Sequence, residues 1–354
     1  MRYFLELCLR SVIAATQNID AEIIVVDNNS SDDSCEAVKK LFPSVILIEN
    51  TENLGFSKGN NIGVKQASGE YLCILNPDTV VSESAFSNLI QFADGIEDLG
   101  IVGCQLVDGK GKFLPESKRN IPRPYVSLRK MLGNSTAYYA NQVATENTGQ
   151  VDILVGAFMF LKREVYNAVG GFDEDYFMYG EDIDLSYKVK KSGFKNYYKG
   201  DVSCIHYKGE STLKDANYAK RFYGAMQIFY KKHFKRNLFF NGLVWFGIKL
   251  AYTLRSKITI QAPDIKQYII LSDRTISDLQ SKIDQSVSYA SDLKDIKPNS
   301  CVIFDGQYCS YESIITMMKE NALKENITYR ILPKNTNFTI GSDSAIYRGE
   351  VVHL

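Results

Sequence analysis

Three aspartates stand where a carboxylate can do chemical work. Asp27 closes the apolar run Glu22-Ile-Ile-Val-Val-Asp27, and Asp78 follows Tyr71-Leu-Cys-Ile-Leu75 through Asn76-Pro77. Asp182 lies in the acidic stretch Gly170-Gly-Phe-Asp-Glu-Asp-Tyr-Phe-Met-Tyr-Gly-Glu-Asp-Ile-Asp-Leu185. All three belong to residues 1–215, which hold 22 basic and 29 acidic side chains, a net charge of −7. Carboxylates gathered in such a field repel one another unless a cation or hydrogen-bond donors offset them. A hard divalent cation, Mg2+ or Mn2+, would do so, bound through one or two carboxylates plus substrate phosphates. The expected substrate is therefore a diphosphate.

The whole chain, 354 residues with 41 Lys plus Arg against 41 Asp plus Glu, is neutral, so no basic excess points to nucleic acid. The zero conceals a partition. Residues 216–260 carry nine basic side chains and no acidic one, whereas 261–354 carry 10 basic and 12 acidic ones. Seven scattered cysteines, never spaced C-x-x-C, indicate neither a disulfide framework nor a zinc site, and a reducing cytosol is expected. The N-terminus has no signal-peptide pattern. Dinucleotide-binding, P-loop, zincin and serine-hydrolase motifs are all missing from the sequence.

The elements that must position the aspartates can be read from periodicity. Phe4, Leu5, Cys8, Leu9, Val12 and Ile13 recur at helical intervals over residues 2–15. Strands are expected at 22–27, 45–48 and 71–75, alternating with helices at 33–41 and 57–67. Apolar strands alternating with helices predict an α/β fold with a mostly parallel sheet covered on both faces, where ligands lie beyond the carboxyl ends of the strands. Residues 107–150, with a basic run from Lys118 to Lys130, read as a long loop with helix near 125–132. A strand over 153–161 returns to the core, and a helix follows the acidic stretch to about Lys191.

Residues 239–254 are apolar and aromatic, flanked by lysines and arginines, and shorter than the about 20 residues needed to cross a bilayer. They predict a helix lying on an anionic membrane surface, with a domain-joining core helix as the competing reading. Beyond residue 264, strands at 267–271, 301–304 and 328–332 and helices at 274–286 and 310–321 predict a second, smaller α/β domain. The expected division is 1–237, 238–260 and 261–354.

Four motifs in order carry a family resemblance: Val26-Asp-Asn-Asn-Ser-Ser-Asp32, Asn53-Leu-Gly-Phe-Ser-Lys-Gly-Asn-Asn-Ile-Gly63, Asn76-Pro-Asp78 and Gly170 to Leu185. Together they resemble glycosyltransferase family 2, in particular its rhamnosyltransferase-like bacterial branch. The resemblance implies a GT-A type nucleotide-diphospho-sugar transferase fold, an inverting transfer from a nucleotide-sugar donor, and a divalent cation. It places Asp27 at the donor's base or ribose, and Asn29, Asn53, Gly55, Asn60 and Asn76 along the nucleotide-sugar. It gives Asp78 the metal position and makes Asp182 the general base. His206 is its loosest match, a metal or diphosphate ligand with a structural histidine as the alternative. Glu181, Asp173 and Asp184 read as helix N-terminal residues favoured by the macrodipole.

Two departures qualify the resemblance. The family begins with a strand ahead of a helix like residues 2–17, and that strand is missing, so an N-terminally truncated domain is expected. The Gln-x-x-Arg-Trp signature of processive synthases is absent, which favours transfer of a single sugar. The expected activity moves one sugar from a UDP- or dTDP-sugar to a lipid-linked or cell-surface polysaccharide acceptor, in the cytoplasm and peripherally at the inner membrane face. A non-catalytic sugar-nucleotide or partner-binding scaffold is the alternative, with a sugar-nucleotide pyrophosphorylase behind it.

Overall fold

The computed structural model describes residues 1–131, 133–208, 216–234, 263–344 and 348–354. The chain opens with helix α1 (Arg2–Ala15), whose buried face is Phe4, Leu7, Cys8, Leu9, Val12 and Ala15. Strand β1 (Ile24–Asp27), helix α2 (Ser34–Leu41), strand β2 (Ile46–Glu49), helix α3 (Gly55–Gln66) and strand β3 (Tyr71–Leu75) follow as expected. β1 and β2 run parallel, with Asp27 opposite Glu49, and form a sheet of their own.

The chain continues through β4 (Thr79–Val81), α4 (Ala85–Asp94), β5 (Leu99–Val107), α5 (Pro124–Met131), β6 (Thr148–Val151), β7 (Phe158–Lys162), α6 (Arg163–Ala168), α7 (Glu181–Lys191), β8 (Lys195–His206) and α8 (Ala216–His233). The central sheet has the order β3-β7-β5-β8-β4, with β6 also paired to β8. It is mixed: β5 and β8 are parallel, while β7 and β4 run against their neighbours. This corrects the expectation of a mostly parallel sheet, because apolar content reports that a strand is buried and not which way its neighbour runs. The strand expected at 153–161 begins only at Phe158. Ile153 instead exchanges backbone hydrogen bonds with Arg119, at 2.9 and 3.0 Å.

The path of this sheet places Asp78. β3 and β4 lie at its two ends, yet only Asn76-Pro77-Asp78 joins them. Four residue steps reach about 14 Å. Four inter-strand spacings in a flat sheet cover about 19 Å. The sheet therefore curls, and its two ends meet at Asp78. β5 is buried along its whole length, and its glycines serve close packing. A Cβ on Gly100 would stand 2.6 Å from Asn196 Oδ1, and one on Gly103 would stand 2.5 Å from Leu154 Cδ2.

The C-terminal elements are β9 (Gln267–Leu271), α9 (Ser277–Gln280), β10 (Ser286–Ala290), β11 (Ser300–Asp305), α10 (Tyr311–Glu320), β12 (Ile327–Leu332), β13 (Phe338–Gly341) and β14 (Glu350–His353). Their sheet has the order β10-β9-β11-β12-β13-β14, parallel through β12 and antiparallel after it. The helix expected over 274–286 shrinks to α9, because Ser286-Val-Ser-Tyr-Ala290 alternates with period two and pairs with β9 instead.

One hydrophobic cluster joins Phe4 and Leu7 of α1, Val80, Val107, Ile205 and Tyr207 to Val302, Phe304, Ile314, Ile315, Met318 and Ile331 of the C-terminal part. The contact is close. A Cβ on Gly109 or Gly111 would fall 2.1 Å from a backbone oxygen of Ser342 or Met318. Glu83 accepts hydrogen bonds from the backbone N–H groups of Tyr311 and Glu312, each at 2.8 Å, and so caps α10. All seven cysteines are free thiols. The segment 239–254 and the whole of the proposed linker 238–260 lie outside the described residues. Among the described residues no helix is long and apolar enough to cross a membrane.

Candidate active site

Asp78 and His206 meet because β4 pairs with β8. Thr79 lies opposite His206, and Tyr207 donates its backbone N–H to Asp78 O at 3.0 Å. Asp78 is 1% exposed, and neither of its carboxylate oxygens has a hydrogen-bond partner. His206 Nε2 stands 3.4 Å from Asp78 Oδ1 and 3.3 Å from Asn76 Nδ2, and its Nδ1 has no partner. Removing a carboxylate from water without donors costs several kcal/mol. A cation on the carboxylate and the imidazole would offset that cost, so the side chains fit a divalent metal. Among the described residues no group of three or more His, Cys, Asp or Glu side chains is arranged so that it could hold a metal ion by itself. A metal held here would thus depend on ligand oxygens for its other positions, as Mg2+ bound with phosphates does.

Glu116 borders this pair. Burial opposes its charge, but Lys208, ion-paired with it, outweighs burial and holds its carboxyl below the usual range.

Asp182 lies in the first turn of α7, behind Gly180, whose φ of 80° is left-handed. Its Oδ2 accepts from Arg119 Nη2 at 2.6 Å and from the Gly156 N–H at 3.2 Å, and its Oδ1 accepts from the Ile183 N–H at 2.8 Å. The same Arg119 nitrogen donates to Leu154 O at 2.7 Å. Beside Asp182, Glu181 is buried with Oε2 unpartnered. Burial, reinforced by the charge of Asp182, pushes the Glu181 carboxyl up to about 8. Asp184, also in the first turn of α7, receives Tyr176 Oη at 3.3 Å, meets His233 Nε2 at 2.6 Å and faces Lys188.

The two carboxylate centres are linked by backbone. Gly156 serves Asp182, and the next residue, Ala157, accepts the Asn76 N–H at 3.0 Å. A Cβ on Gly156 would lie 3.3 Å from the Asp182 Cβ and 3.6 Å from the Phe56 ring, so glycine allows α3, α7 and this loop to converge.

The Asp27 side forms a separate wall. Asp27 Oδ2 accepts the Ser30 N–H at 3.0 Å, and Asn29 adopts a φ of 62° in the turn that follows. Asn53 Oδ1 accepts the Gly55 N–H at 3.0 Å, and Asn60 Nδ2 donates to Phe56 O at 2.8 Å, so both amides brace the start of α3. Gly55 has φ +81°, and a Cβ there would fall 2.5 Å from Phe177 O. Two residues that sequence reasoning does not single out join the site. Asn28 bonds both Gly55 O and Asn50, and Arg119 holds Asp182.

The basic run 118–130 is partly interior. Lys118 and Arg119 are buried, at 4% and 7% exposure. Lys118 Nζ donates to Ala140 O, and Lys130 Nζ lies 3.2 Å from the Tyr138 ring centroid. Burial, with the charge of Arg119, brings Lys130 down to about 8.

The model of glycosyl transferase family 2 matches residues 3–170, which include Asp27, Asn53, Gly55, Asn60, Asn76 and Asp78. The chain is 25% identical to an N-acetylglucosaminyl-diphospho-decaprenol L-rhamnosyltransferase of Mycobacterium tuberculosis, over 73% of this chain and 87% of that protein. It is 28% identical to the rhamnosyltransferase WbbL of Escherichia coli, over 43% of this chain and 61% of WbbL. Among solved structures, a mannosyltransferase from Pyrobaculum calidifontis in complex with GDP-Man and Mn2+ superposes with a TM-score of 0.46 at 19% identity, covering 72% of this chain and 67% of that one. With a family 2 match over residues 3–170 and rhamnosyltransferases among its relatives, the chain is a glycosyltransferase similar to the rhamnosyltransferases of that family.

Proposed function

We propose that this glycosyltransferase is inverting and metal-dependent, and that it moves a single sugar from a UDP- or dTDP-sugar to a lipid-linked or polysaccharide acceptor. The acceptor class rests on the similarity to the mycobacterial enzyme, whose own name gives a diphospho-decaprenol substrate. The observation that carries the metal and donor reading is the buried Asp78 carboxylate, with no hydrogen bond to either oxygen and with His206 beside it.

In this reading Asp78 and His206 hold Mg2+ or Mn2+, which supplies positive charge for the leaving diphosphate. Asp27 accepts hydrogen bonds from the base or ribose, as a carboxylate at a strand end can. Asn29, Asn53, Gly55, Asn60 and Asn76 line the donor. Asp182 takes the proton of the acceptor hydroxyl as its oxygen attacks the anomeric carbon from the face opposite the diphosphate. The basic segment 216–260 would bring the enzyme to an anionic membrane, and the division into 1–237, 238–260 and 261–354 belongs to the same proposal.

Calorimetric titration with UDP and dTDP, in Mn2+ and in EDTA, tests the donor site. Binding should require Mn2+ and should weaken strongly in Asp78→Ala. Equal affinity in EDTA, or in the variant, would overturn the metal reading.

A further inference from the structure

Arg119 lies in the loop between β5 and α5, and it is buried against the first turn of α7. Two hydrogen bonds to Ile153 fix its backbone, and one guanidinium nitrogen reaches both Leu154 O and Asp182 Oδ2. A carboxylate has about four lone-pair positions. Arg119 and Gly156 occupy those of Oδ2, while Oδ1 receives only the Ile183 N–H. One position on Oδ1 is left, on a residue 8% exposed.

We propose that Arg119 is the positioning residue of the reaction centre: it clamps Asp182 by Oδ2 and presents Oδ1 to the acceptor hydroxyl. This rests on the reading of Asp182 as the proton acceptor. In the step it serves, the hydroxyl proton passes to Oδ1 and the acceptor oxygen bonds the anomeric carbon. The bond from that carbon to the diphosphate then breaks, and its electron pair leaves with the diphosphate. The guanidinium is suited to the task because it stays charged and its planar fork holds direction, which a lysine ammonium does not. The charged or titratable groups facing this pair are Glu181 beside Asp182, and Tyr138, Tyr139 and Lys130 near the guanidinium.

The test measures nucleoside diphosphate release by the full chain from dTDP-rhamnose, UDP-glucose and UDP-N-acetylglucosamine, with Mn2+ and a polyprenyl-diphospho-N-acetylglucosamine acceptor. Arg119→Met should lose about 10²-fold in kcat, the scale of a misplaced catalytic group, with donor KM little changed. Its acidic pH limb should move upward, because loss of a neighbouring positive charge favours the protonated form of a buried carboxylate. Arg119→Lys should recover the limb better than it recovers kcat. A merely structural role would lower folded fraction or raise KM and leave the limb in place, and that result would overturn the proposal. If Arg119→Met unfolds, Arg119→Lys decides alone, and wild-type kcat in it sinks the idea. Asp182→Asn separates the two readings. Full activity in it removes the base assignment and Arg119's role together, whereas an inactive Asp182→Asn beside a fully active Arg119→Met removes only the latter.

Discussion

Gly156 donates its backbone N–H to Asp182 at 3.2 Å, while the carbonyl of the following residue holds the Asn76 N–H at 3.0 Å. One peptide segment thus ties the Asp182 carboxylate to the Asn76-Pro77-Asp78 link. The way these parts are held has measurable consequences for stability and for donor binding.

Asp78 is buried without donors, so it destabilises the metal-free protein. Asp78→Asn removes the charge at nearly constant volume. In EDTA it should be more stable than wild type, by on the order of 1 kcal/mol or more. In return, the rise in melting temperature expected of the wild type with Mn2+ should be absent from the variant. Thermal denaturation with and without Mn2+ measures both effects, and a less stable variant in EDTA would contradict the cation-site reading.

Glu181 has a folded-state pKa raised from 4.5 to about 8, through burial first and the charge of Asp182 second. The folded state therefore binds this proton more tightly than the unfolded chain. The contribution is fully present below about 4.5 and is lost as pH rises through about 8. Between those limits stability should fall by about 1.4 kcal/mol per pH unit. Glu181→Gln, which imitates the protonated side chain, should flatten stability against pH in this window. Urea unfolding at pH 5, 6.5 and 8 gives the comparison, and parallel curves for variant and wild type would show that Glu181 does not carry the loss.

Gly55 combines φ +81° with a Cβ position 2.5 Å from Phe177 O. Gly55→Ala must strain the backbone or displace the Phe177 segment, at a cost of about 1–3 kcal/mol. Because Phe56 donates its N–H to the same Phe177 oxygen, at 2.8 Å, weaker donor affinity should accompany the lost stability. Chemical denaturation and calorimetry check the two parts.

Phe4 packs edge-on to Tyr207 at 5.0 Å, inside the cluster shared with α10 and β11. Phe4→Ala should cost about 3–5 kcal/mol, as core aromatic truncations do. Tyr207 follows His206, so Mn2+-dependent donor binding should fall as well. Unfolding followed by circular dichroism, beside calorimetry at a temperature where the variant is folded, tests the linkage.

Much of the N-terminal half is legible in the sequence because its signals are local. The helical spacing of Phe4, Cys8 and Val12, the apolar runs at β1 and β3, and the aspartates at or just after their ends depend only on near neighbours in the chain. The same local reading misses β5 and β8, the two strands with the most extensive pairing to each other in the central sheet. β5 carries two glycines, and β8 is interrupted by lysines and an aspartate, so neither looks like a buried run. In the C-terminal part, Ile276, Leu279 and Ile283 carry a helical rhythm that pairing of β10 with β9 overrides after one short turn.

Residue types and their order therefore determined a negatively charged α/β region with Asp27 and Asp78 at or just after strand ends and Asp182 in an acidic stretch that leads into a helix. Only the tertiary structure decided which partners they have. Asp78 meets His206 because β4 and β8 pair across more than a hundred residues, and Asp182 meets Arg119 because a loop exchanges hydrogen bonds with Ile153. Strand pairing and buried ion pairs depend on surfaces brought together by collapse, and no periodicity along the chain records which distant segment will supply the matching donor.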